Sequence, residues 1–247
     1  MPALLVHGNP DSRLLWEQVE KHLGSYGEEV VAVDLPGFAA PASAGFPATK
    51  EAYVDWLIEQ IEQLAERGGG PVDLVGHDWG SLLVQRIASI RPDLLRSVAA
   101  GGAAVDVEYP WHDIAQVWQT PGEGERYMAE DLTEEVSVPY LVANGVPQEY
   151  ASRNAWLVPG NKECILKLYR SAIKIGEEWQ PELEQVSLPG MVLWGREDPY
   201  VPLVWAERLA QRIGAELVVL ECGHWWPYER PRETAAALLR LWAGARG

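Results

Sequence analysis

The chain has 247 residues, 47% of them hydrophobic and 23% charged, which suits one soluble α/β domain with a sizeable core and a modest insertion. With 36 acidic against 20 basic side chains the formal net charge is −16. That balance argues against a nucleic-acid partner, since phosphate binding rests on clustered Lys and Arg, and it does not help a strongly anionic substrate.

The start, MPALLVHGNP, lacks a basic region followed by a signal-peptide core, and no apolar run approaches the roughly 20 residues of a membrane span. Residues 3–6 read instead as a buried strand, and the expected location is cytoplasmic, with no membrane partner. Residues 29–33 form the next strand. Residues 50–67 carry Tyr53, Leu57, Ile61 and Leu64 at helical spacing, and the glycines at 68–70 stop that helix. Strands at 72–76 and 95–100 follow, and two more at 191–194 and 216–220. Short apolar runs alternating with amphipathic stretches predict an α/β fold, a mostly parallel sheet flanked by helices.

The alternation breaks between the fourth and fifth strands. Residues 106–185 are rich in Trp, Tyr, Pro and Glu, with helical patches and no clear strand. An insertion there predicts a helical cap over the carboxyl ends of the strands, where open α/β sheets place ligands. The division is then a core of residues 1–105 and 186–247 and a cap of residues 106–185. The competing reading is a structural subdomain away from substrate. Cys164 and Cys222, too few and too far apart for a disulfide framework, predict buried or half-buried thiols. No cluster of His, Cys and acids has ligand spacing, so neither a metal nor an organic cofactor is expected.

The strongest local signal is VDLVGHDWGSLLVQRIASI. A β-rich run ends at Gly76-His77, a helical run begins near Trp79, and Asp78 occupies the centre of a G-x-nucleophile-x-G turn. Such a turn lifts one side chain above the sheet, at a helix N-terminus that favours an anion. The competing reading of Asp78 taken alone is a helix cap, the less favoured of the two. A carboxylate in that place is already charged and can attack a saturated carbon, leaving an alkyl ester that water then hydrolyses. The expected electrophile is therefore sp³ carbon, in a carbon–halogen bond or an epoxide.

His224, in LVVLECGHWWPYERP, follows the last strand and fits the chain order nucleophile, acid, histidine, with the role of deprotonating the hydrolytic water. The acid that orients it has two candidates. Asp198, in MVLWGREDPYVP, follows the penultimate strand in a loop framed by Gly and Pro and is favoured; Glu108, in AAVDVEYPW, is the alternative. Glu197 and Asp106 read as solvated surface. At the N-terminus, HGNP follows a strand and precedes a helix, so the N–H groups of Asn9 and Trp79 would form an oxyanion hole for ester hydrolysis.

HGNPDSRLLW, GHDWGS and the His224 segment together resemble the haloalkane dehalogenase and epoxide hydrolase branch of the α/β-hydrolases, from residue 3 to the end and weakly through the cap. The resemblance implies a doubly wound sheet whose usual first two strands are missing, with an edge open to pairing in a homodimer. It also implies a halide clamp made of the Asn9 amide and the Trp79 indole. Dehalogenases with Asn at this place often carry their acid where Glu108 sits, so Asn9 with Asp198 is a mixed pattern. Relatives that attack haloacids carry Arg beside the nucleophile, where this chain has Trp79 and Leu82, so the expected substrate is a small apolar molecule.

An epoxide hydrolase would need cap tyrosines to protonate the opening ring. Tyr109, Tyr127, Tyr140, Tyr150 and Tyr169 are available, with Tyr169 in ILKLYRSA the first to test. Trp111, Trp118, Trp156 and Trp179 suit an apolar pocket or plain packing. A third reading, from another class, is a non-catalytic small-molecule binder that kept the fold.

Overall fold

The computed structural model describes residues 2–24 and 29–245. Its sheet has six parallel strands: β1 (Ala3–Val6), β2 (Val30–Val33), β3 (Val72–His77), β4 (Leu95–Gly101), β5 (Gly190–Gly195) and β6 (Glu216–Leu220). Their spatial order is β2-β1-β3-β4-β5-β6. β1, β3 and β4 are buried along their whole length because helices cover both faces, so their sequences are apolar runs rather than alternating ones. β2, at one edge, is only half-buried.

The order changes hand at β1. The chain goes from β1 outward to β2, then crosses back to β3 on the other side, with Leu5 paired to both Ala32 and Val75. Such a switch leaves a crevice at the carboxyl ends of β1 and β3, into which the loop after each strand opens. Asn9 and Asp78 lie in those two loops.

The helix Lys50–Gly68 buries Tyr53, Leu57, Ile61 and Leu64, the expected stripe. Thr49 caps its start by accepting the Ala52 N–H, and Gly69, at φ 71°, turns the chain out of the helix. At the far end of the sheet from the crevice, Asp73 of β3 is buried against Arg96 and Ser97 of β4.

Between β4 and β5 the chain forms helices only: Asp113–Gln119, Glu123–Glu130, Glu134–Ala143, Gln148–Ala151, Asn161–Ser171 and Ile175–Leu183, with a 3-10 turn at Ala155–Leu157. The last of these is latched to the core. Lys50 pairs with Glu178 at 2.7 Å and Arg86 with Glu182 at 2.8 Å, while both cations lie over the Trp179 ring. Both cysteines are buried thiols. Among the described residues no helix is long and apolar enough to cross a membrane.

Candidate active site

Asp78 sits between β3 and the helix Trp79–Ile90 at φ 53°, a left-handed conformation rare for a residue with a side chain. The bend works because its surroundings have no side chains. A Cβ on Gly80 would lie 2.3 Å from the Val6 carbonyl oxygen, and one on Gly8 would lie 2.2 Å from Asp78 Oδ1. The glycines thus let the loops after β1 and β3 touch, which brings Asn9 to Asp78.

The Asn9 N–H donates to Asp78 Oδ1 at 2.7 Å, and the adjacent Trp79 N–H favours negative charge on this carboxylate. Oδ2 faces the other way, 3.7 Å from His224 Nε2. Burial pushes the Asp78 carboxyl up, opposed by His224 and the two N–H groups. On its far side, His224 Nδ1 donates to Asp198 Oδ2 at 2.7 Å. Asp198 is itself fixed, its Oδ1 accepting the N–H groups of Tyr200 and Val201 at 2.8 and 2.9 Å. Burial disfavours the charged imidazole, but Asp198, then Asp78 and Asp11, outweigh it and lift His224 to about 9.

The cavity in front of Asp78 encloses about 1230 Å³, its open mouth included. Leu82 belongs to the helix after Asp78, whereas Trp118, Leu132, Tyr140, Trp156 and Tyr169 all come from the helical insertion. That insertion therefore forms one wall. Trp156 Nε1 donates to Asn9 Oδ1 at 3.1 Å, which fixes the oxygen end of that amide and leaves its NH₂ to face elsewhere. Both the Trp79 indole and the Asn9 side chain lie against the Tyr169 hydroxyl and favour negative charge on it, although burial dominates and holds the phenol protonated.

Residues 3–237 match the alpha/beta hydrolase family. The chain belongs to that family. Over 202 residues it is 34% identical to the (E)-2-((N-methylformamido)methylene)succinate hydrolase of Acinetobacter baylyi, covering 80% of this chain and 73% of that relative. It is similar to the haloalkane dehalogenase of Psychrobacter cryohalolentis at 35% identity over 103 residues, 40% of this chain and 33% of the dehalogenase. In fold it matches a thermophilic esterase from Thermogutta terrifontis with a TM-score of 0.81 and 22% identity, covering 100% of this chain and 91% of the esterase. The protein is an α/β-fold hydrolase whose named relatives act by varied chemistries.

Within this hydrolase Asn9, Asp78, Trp79, His224, Asp198 and Tyr169 gather in one place. Glu108 does not: it is exposed and pairs with Arg208 at 2.9 Å, while His224 points at Asp198. Asp106, expected at the surface, is instead buried between Arg208 and Arg212, each at 2.8 Å. Tyr150 lies outside the cavity, bonded to Glu17 and Gln18 and stacked on Tyr228.

Two residues with no role assigned from sequence also act here. His77 donates from Nε2 to the His224 carbonyl at 2.9 Å, pinning that loop to the elbow. Asp11 accepts the Trp225 indole N–H at 3.0 Å, and burial raises its carboxyl to about 7. Both hold the His224 loop through contacts that bring together residues far apart in sequence. The only sequence signal was an acid placed directly after HGNP and a His directly before Asp78.

Proposed function

We propose that this hydrolase opens bonds at saturated carbon through an ester on Asp78, most simply by cleaving carbon–halogen bonds. The observation that carries this is the asymmetric setting of the Asp78 carboxylate. Oδ1 already accepts the Asn9 N–H, the place where an oxyanion would be held, and the Trp79 N–H favours charge on the same carboxylate, so the carbonyl built to be attacked is that of residue 78 itself. Oδ2 is left free to attack. It displaces halide from carbon, and the departing anion is received by the Asn9 NH₂ and the Trp79 indole N–H, two neutral donors in an apolar pocket. Trp156 holds Asn9 in the orientation this needs.

His224 Nε2 then takes a proton from a water whose oxygen attacks the ester carbon of residue 78. The tetrahedral oxyanion forms at Oδ1, where the Asn9 N–H already donates, with the Trp79 N–H beside the same carboxyl. Its collapse expels the alkoxide, which takes the proton from His224, and the net products are alcohol, halide and a proton. In this scheme residues 106–185 act as the cap over a core of residues 1–105 and 186–247. The connected Asp78–His224–Asp198 set speaks for turnover over a binder.

The Tyr169 hydroxyl favours a second reading, epoxide opening, because groups that stabilise its anion also help it give a proton to the ring oxygen. Rates on primary bromoalkanes and on styrene oxide, measured in parallel, separate the two. Asn9→Ala is expected to weaken bromide binding about 10- to 100-fold, the range for one hydrogen bond to a charged group, read by quenching of the cavity tryptophans. Tyr169→Phe is expected to leave bromoalkane turnover intact and abolish any epoxide turnover. The reverse pattern would assign the enzyme to epoxides.

A pH dependence also follows. In the free enzyme Asp78 is one of the carboxylates that raise His224 to about 9, so the imidazole is mostly protonated at neutral pH. Once Asp78 is an ester its charge is gone, the His224 pKa falls, and the neutral base becomes available. Single-turnover ester hydrolysis should therefore rise with pH through a midpoint below about 9. A rate flat in pH would exclude His224 as the base.

A further inference from the structure

His112 stands at the start of the helix Asp113–Gln119, in the wall of the Asp78 cavity. Its Nδ1 accepts the Ala115 N–H at 3.2 Å, satisfying one of the free donors of that helix end. A ring nitrogen that accepts carries no proton, so the hydrogen of the neutral imidazole is fixed on Nε2. No described residue takes a hydrogen bond from that nitrogen. Burial keeps the ring neutral, pulling it down to about 4, with the field of His224 acting the same way and those of Asp198 and Asp113 opposing.

Three tyrosine hydroxyls of this lining are already engaged, whereas the Ser137 hydroxyl and the Trp118 indole N–H, also in the lining, are buried without a partner among the described residues. The Tyr109 hydroxyl donates to the Tyr200 carbonyl at 3.4 Å and faces the backbone N–H of His112, while the Tyr140 and Tyr200 hydroxyls bond to each other. The His112 ring lies 5.5 Å from the Tyr200 ring, and the Tyr200 ring lies 5.0 Å from that of His224. His112 is thus one aromatic ring removed from the reacting centre, in a wall where Ile114, Leu132 and Val136 offer no hydrogen bond.

We propose that His112 is a specificity-determining residue whose Nε2–H binds an acceptor oxygen, a carbonyl or ether, carried by the substrate beyond the carbon that Asp78 attacks. This rests on reading the Asp78 cavity as the substrate site. An all-carbon ligand leaves the N–H stranded in an apolar wall, whereas an oxygen placed there pairs it, so the site discriminates by the presence of that atom. The substrates it favours are neutral molecules with such an oxygen set apart from the bond that breaks.

The test compares cyclohexanone with methylenecyclohexane, alike in shape and differing in one acceptor, by tryptophan fluorescence titration of the intact protein. His112→Ser keeps a residue that caps helices well but removes the long-reaching donor. It is expected to weaken cyclohexanone binding about 2- to 10-fold, the worth of one neutral hydrogen bond, and to leave methylenecyclohexane within twofold. His112→Thr, which also caps, replaces it if the serine variant does not fold. An unchanged ketone affinity, equal losses for both ligands, or no saturable ketone binding to the native protein would each overturn the proposal. Binding is read without turnover, so a failure of the Asp78 chemistry would show separately, as the absence of an ester adduct.

Discussion

Asp78→Asn is expected to lower turnover by about 10⁴-fold or more, since the nucleophile is lost outright, while His224→Gln should stop the reaction one step later. In the His224→Gln protein the carboxylate still attacks, but no base activates the water. Exposed to a slow bromoalkane, it should gain the mass of one alkyl group less one hydrogen, with the modification on the peptide containing residue 78. Gln is the better substitution than Ala, because its amide can keep donating to Asp198. That carboxylate has no exposed side-chain surface, and leaving a buried charge without its partner costs about 3–5 kcal/mol. Intact-protein mass spectrometry reads the result; turnover at the native rate by either variant would remove Asp78 or His224 from the scheme.

The second large effect separates the two acids that the sequence offered. In Asp198→Asn the amide NH₂ would face His224 Nδ1, which then has to accept, shifting the ring hydrogen to Nε2. That nitrogen can no longer take a proton from water, and ester hydrolysis should fall by about 10⁴-fold, the loss expected of a wrong tautomer. Alkylation does not need the base, so this variant too should accumulate the adduct. Glu108→Gln should stay within about twofold of native turnover, as expected for one exposed ion pair. Glu108 is two-thirds exposed, and its partner is Arg208. Steady-state rates on one bromoalkane with the three proteins decide the matter; equal losses at both acids would contradict the assignment.

Much of this arrangement is legible in the amino-acid sequence. Each of the six strands falls on a short apolar run, because a parallel sheet covered on both faces tolerates little else. The elbow was legible because close contact between two loops demands glycine at Gly8 and Gly80, and glycine leaves a mark in a sequence. The choice of acid was not. Asp198 and Glu108 both follow a strand, and what separates them is Arg208 on the helix Leu203–Ile213, which claims Glu108 and Asp106 from far along the chain. The same long-range reason hid the Trp156 bond to Asn9, the Asp11 bond to Trp225 and the placement of Tyr150 outside the cavity. Propensity and spacing report neighbours along the chain, and these contacts bring together residues with no local signature. His112 is the same case, with no sequence signal for its place in the cavity lining.

A single turnover in water enriched in oxygen-18, with enzyme in excess over a bromoalkane, addresses the covalent step most directly. Attack by Asp78 Oδ2 predicts that the first alcohol formed carries ordinary oxygen taken from the enzyme, and that the heavy atom appears in the peptide containing residue 78. Heavy oxygen in the alcohol from the first turnover, with none in that peptide, would mean that water attacks the substrate directly and that Asp78 is no nucleophile.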